Sequence, residues 1–203
     1  MKDTFKTIET ISKAIYTEKR SKFIAYAIPV VSIEEIKPEL DKYRKEFYDA
    51  RHVCWAYMLG AEREDFRSND DGEPSGTAGK PILGQINSNE LTDILVLVVR
   101  YFGGIKLGTS GLIVAYREAA ALAISEAVIV EKTVDCTTSF AFEYVQMNAV
   151  MRIVKDLEPT ITDQNFEMDC TMTLSIRKAK FEELISKLEK VEALRFTGKK
   201  SCP

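Results

Sequence analysis

Two glycine-rich, charged loops on either side of one apolar strand constrain this chain more than anything else in it. The first runs Ser68-Asn-Asp-Asp-Gly-Glu-Pro-Ser-Gly-Thr-Ala-Gly-Lys-Pro81 and the second Arg100-Tyr-Phe-Gly-Gly-Ile-Lys-Leu-Gly-Thr-Ser-Gly111. Seven glycines, at 72, 76, 79, 103, 104, 108 and 111, fall within them. An ordinary turn needs one or two, so this backbone is expected to hold positive φ values or to lie close against something.

With 203 residues, the chain has room for one large domain or two small ones with real cores. Apolar runs such as Ile94 to Val99 are far too short to span a bilayer, and the polar start Met-Lys-Asp-Thr-Phe-Lys lacks the apolar centre of a signal peptide. A cytoplasmic protein without a membrane partner is expected. Cys54, Cys136, Cys170 and Cys202 form no CxxC pair and are expected to be reduced thiols. The net charge is −3, and residues 137–203 hold ten acidic and ten basic side chains, so neither half is a basic polyelectrolyte. Any nucleic-acid contact must then be local and structured.

Along the chain, Phe23–Val30 has strand character. Ser32-Ile-Glu-Glu predicts a capping box opening a helix with apolar Ile33, Ile36, Leu40, Tyr43 and Phe47, and Pro38 predicts a kink or a late start. His52–Leu59 is apolar on both faces and should be an interior strand. Leu91–Val99 is a third strand, and Leu112–Ala127 a helix with Thr109 and Ser110 as N-cap candidates. After residue 134 the pattern resets. Strand Thr137–Phe142, helix Val145–Leu157, strands Ile161–Met168 and Thr171–Ile176, helix Phe181–Val191 and a last short strand make the order βαββαβ of a ferredoxin-like domain. The predicted fold class is α+β in two domains, residues 1–133 and 137–203.

Familiar ligand templates fail in the first loop. A phosphate-binding P-loop would need Gly at 74 and Ser or Thr at 81, and both are proline; a calcium loop beginning at Arg67 has the wrong first ligand; no GxGxxG occurs. What remains is an anion site: Gly103, Gly104, Gly108 and Gly111 lead into a helix whose first N–H groups are free, beside Arg100 and Lys106. Tyr101 and Phe102 offer aromatic faces, with a place in the core as the alternative. Asp70, Asp71 and Glu73 are left with three roles: holding a cation, meeting a partner's arginine, or pairing internally with Arg100 or Arg20. His52 and Cys54 share a strand face roughly 6–7 Å apart, too far for a nucleophile and its base, so His52 is expected to be satisfied by one hydrogen bond. No catalytic residue, metal or cofactor is expected.

These residues resemble the IMPACT family, in its bacterial two-domain form. The resemblance rests on Lys19-Arg20-Ser21-Lys22-Phe23-Ile24, on Ala50-Arg51-His52-Val53-Cys54-Trp55-Ala56-Tyr57, and on both glycine loops, which fit without a gap from Gly79 to Gly108. It implies a first β-α-β domain similar to domain IV of elongation factor G (ribosomal-protein domain-2-like), and a second similar to domain V of that factor. It also implies a cytoplasmic RNA- or ribosome-binding protein that modulates translation. The candidate binding residues are Arg20, Lys22, His52, Asp70, Asp71, Gly72, Glu73, Gly76, Thr77 and Lys80, then Arg100, Tyr101, Phe102, Gly103, Gly104, Lys106, Gly108, Thr109 and Ser110. Two alternatives stay open: a peptidase acting on Xaa-Pro dipeptides, as some bacterial relatives have been labelled, and a protein-interaction module.

Overall fold

The structure, a computed structural model, describes residues 3–166, 170–198 and 202. The chain forms two compact units, Phe5–Lys132 and Thr133–Pro203 with Met1–Thr4. Strands β1 (Thr4–Ile8), β2 (Ser12–Glu18), β3 (Ser21–Pro29), β4 (His52–Leu59), β5 (Asp65–Asn69), β6 (Ile94–Tyr101) and β7 (Ile129–Thr133) are joined by helices α1 (Ile33–Glu46), α2 (Gly79–Ser88) and α3 (Gly108–Ser125). Five strands form one antiparallel sheet in the order β2-β3-β6-β4-β5, and β1 pairs with β7.

Strand β6 is the centre of the sheet, and its sequence shows why. Ile94, Val96 and Val98 face α2 and α3, while Leu95, Leu97 and Val99 face the α1 side, and all six are fully buried. A strand covered on both faces carries no polar alternation. The α2/α3 side adds Phe23, Ala56, Ile82, Ile86, Tyr116 and the alanines of α3, small enough to seat that helix close to the sheet. On the other side Ile36 and Tyr43 of α1 cover Tyr26, Tyr57 and Leu97.

Several sequence expectations need correction. Helix α3 begins at Gly108, after Leu107 at the N-cap, so Thr109 and Ser110 lie inside its first turn and no side chain caps it. Ser32 does not cap α1 with its side chain; the Glu35 carboxylate instead accepts from the Val31 amide at 2.9 Å. Pro38 sits inside α1, which starts on schedule at Ile33. Helix α2 begins where Gly79-Lys80-Pro81 suggested only a loop, because a proline in the first helical turn has no hydrogen bond to lose. Arg100 and Tyr101 belong to β6 and not to the loop after it.

The second unit contains β8 (Asp135–Phe142), α4 (Met147–Leu157), β9 (Thr160–Phe166), β10 (Cys170–Arg177), α5 (Lys178–Leu188) and β11 (Arg195–Phe196). Its antiparallel sheet has the order β11-β8-β10-β9, the ferredoxin-like arrangement. Glu167 and Met168, placed in a strand by the sequence, lie outside the described residues. Phe140, Phe142, Val150, Leu174, Phe181 and Leu184 fill the core between sheet and helices. Cys136 and Cys202 are joined by a disulfide, which corrects the expectation of four thiols; the fold brings together two residues that are 66 apart in sequence. Cys54 and Cys170 are free and buried.

Candidate functional site

Three segments of the first unit meet at one corner. β6 ends in Arg100 and Tyr101, β4 begins at His52 directly opposite Arg100, and the loop from β5 to α2 folds back over both. They surround an open cleft of about 780 Å³ lined by His52, Glu73, Arg100, Tyr101, Phe102 and Lys106, and bounded by Leu107, Gly108, Thr109 and Leu112 where α3 starts. Asp49, Arg51 and Pro74 complete the wall.

Glu73 organises the floor of this cleft. Its Oε1 accepts from Arg100 Nη1 at 2.6 Å and from the Tyr116 hydroxyl at 2.8 Å, and the Glu73 and Arg100 side chains are only 4% and 9% exposed. A carboxylate and a guanidinium this deep require each other, because either one alone would be an uncompensated buried charge. The guanidinium lies over two rings, 5.6 Å from the centroid of Phe23 and 5.8 Å from that of Phe102. Its Nε is buried and has no hydrogen-bond partner. The Cys54 thiol lies 3.3 Å from the Tyr116 hydroxyl and 3.0 Å from the Asp70 carbonyl oxygen. Burial pushes both the Cys54 thiol and the Tyr116 phenol upward, so both stay protonated and Cys54 is a poor nucleophile.

The rest of the acidic loop is engaged internally. Asp70 accepts the amides of Gly76, Ala78 and Gly79 at 2.8–2.9 Å and so serves as a remote cap for α2. Burial opposes its ionisation, but the three amides outweigh burial and hold the carboxyl below its ordinary value. Asp71 accepts the Val53 amide and an Arg44 hydrogen bond, both at 2.7 Å. The Asp71 carbonyl oxygen meets His52 Nδ1 at 2.8 Å; since a carbonyl only accepts, Nδ1 carries a proton. Gly72 packs beside that ring with φ +84°. Thr77 donates to the Pro74 carbonyl at 2.6 Å.

Other candidate residues stand outside the cleft lining. Arg20 occupies the β2–β3 turn at φ +65°, and Lys22 is exposed on β3 opposite Tyr101. Lys80 is exposed in the first turn of α2, and Ser110 borders a separate hollow with Lys19 and Val114. Gly103 packs against the β2–β3 turn: a Cβ there would collide with the carbonyl of Arg20 and the amide of Ser21. Gly104 has φ +89° and open space around it. Sequence reasoning passed over Asp49, Arg51 and Tyr116. Arg51 could have been found beside His52, but nothing local links Tyr116 to a carboxylate 43 positions earlier. Tyr101 donates to Asp49 at 2.7 Å, and this bond, with some burial, pushes its phenol up to about 12.

Among the described residues no three His, Cys, Asp or Glu side chains cluster as metal ligands, and no helix is long and apolar enough to cross a membrane. Residues 19–124 match the Impact N-terminal domain. The chain is 35% identical to an IMPACT family member of Haemophilus influenzae and 33% identical to the IMPACT family member YigZ of Escherichia coli, each alignment covering 84% of both proteins. A crystal structure of a hypothetical protein superposes with a TM-score of 0.73 at 28% identity, covering 97% of both chains.

Proposed function

This chain belongs to the IMPACT family, and from that premise we propose that it is a cytoplasmic, non-catalytic RNA- or ribosome-binding protein that modulates translation. The observation that carries the reading is the cleft. Arg51, Arg100 and Lys106 line it against Asp49 and Glu73, leaving one excess positive charge on a chain whose net charge is −3. The N-terminus of α3, uncapped by any side chain, adds the positive end of an 18-residue helix. An anionic ligand is therefore favoured at this corner and opposed by the average surface. The elongation-factor-like architecture implied by the family resemblance supports RNA as the source of that anion.

The test is co-sedimentation of the purified protein with ribosomes from the same cells, at low and moderate salt, with and without nuclease. The expected result is migration with a ribosomal particle, lost on nuclease treatment and weakened by Lys106→Glu, a substitution at an exposed position. Protein remaining at the top of every gradient overturns the ribosomal form of the proposal.

A further inference from the structure

We infer that the cleft receives a single unpaired nucleotide of an RNA strand, its phosphodiester at the start of α3 and its base against Phe102. The inference rests on the RNA reading above and narrows it from RNA in general to a splayed-out nucleotide. Three observations carry it. The Arg100 side chain, 91% buried and with an Nε that has no partner, lines the same cleft as the uncapped start of α3. The excess lining charge of one matches one phosphodiester, whereas a triphosphate would crowd against Asp49 and Glu73. Phe102 is 58% exposed at the cleft with the Arg100 guanidinium over one face of its ring, which leaves the other face for a base, and the volume of about 780 Å³ far exceeds what a lone phosphate fills.

Duplex RNA does not fit this arrangement. Its phosphates lie on a convex cylinder and its bases are stacked inside, so a recessed Arg100 and an aromatic face cannot be met together. An unpaired nucleotide presents both groups at once.

Fluorescence anisotropy with a labelled single-stranded oligoribonucleotide, and with the blunt duplex of the same sequence, tests the inference on the full chain. The single strand is expected to bind at least tenfold more tightly than the duplex. Phe102→Ala should weaken single-strand binding by roughly five- to a hundredfold without changing its salt dependence, while Phe102→Tyr retains it. Lys106→Ala should reduce the slope of log affinity against log salt by about one. Circular dichroism of each variant establishes that it is folded. Equal affinity for duplex and single strand, or an unchanged Phe102→Ala affinity, overturns the nucleotide inference and leaves RNA binding standing. If neither RNA binds, both readings fall.

Discussion

At the scale of single residues, the cleft floor behaves as one electrostatic unit. Arg100→Ala leaves Glu73 buried without its cation, and is expected to cost about 3–5 kcal/mol in urea denaturation. The double replacement Arg100→Met with Glu73→Gln should recover most of that loss, since it removes both charges together. Arg100 is therefore a poor probe of ligand binding, and exposed Lys106 and Phe102 are the informative positions. Asp70 supplies a pH signature. Its folded carboxyl titrates below the ordinary 3.8, so its stabilising contribution is complete above that value and disappears as pH falls through the lower folded value. Asp70→Asn should destabilise by roughly 1–3 kcal/mol at pH 7, with the deficit shrinking below about pH 4 when the two proteins are compared by urea melts.

At the scale of elements, Gly79 and Gly84, about 7.5 Å apart along the axis of α2, make opposite forecasts. A Cβ at Gly79 would fall 2.8 Å from the Asn69 amide nitrogen, so Gly79→Ala should lower the melting temperature by pushing α2 off β5. Gly84 meets nothing within 4 Å, and Gly84→Ala should stabilise by about 0.5–1 kcal/mol through helix propensity. The same helix marks the limit of what was legible. Strands β4, β6, β8 and β10 and helices α4 and α5 stood out by periodicity, since their buried faces are long and apolar. Helix α2 did not, because Gly79 and Pro81 are breakers in the middle of a helix but tolerated at its start, and its cap comes from Asp70 in another element. Edge strands β2 and β5 were missed for a related reason: their polar residues face water and carry little pattern. In the site, Arg100 and Phe102 were legible as the end of an apolar strand running into glycines, whereas the roles of Asp70 and Asp71 depended on amides that only folding brings near.

At the scale of the whole molecule, each unit has its own core and its own reporter. Trp55, the single tryptophan, is in the first unit, stacked on Tyr57 at 6.0 Å, and the Cys136–Cys202 bond lies in the second. Closing a loop of this length contributes about 4 kcal/mol in the chain-entropy limit. Reductant should therefore lower the unfolding transition of the second unit while leaving the transition seen by Trp55 fluorescence unmoved; parallel shifts in both signals would contradict independent units. The backbone contact between Gly103 and the Arg20–Ser21 turn has its own reach. The β2–β3 hairpin turn and the loop from β6 to α3, 82 residues apart in sequence, are stacked without room for a side chain between them. Lengthening either segment by a residue would lift the wall carrying Phe102, so a library of random insertions should return RNA-binding clones almost nowhere in these two segments, whatever their exposure to water.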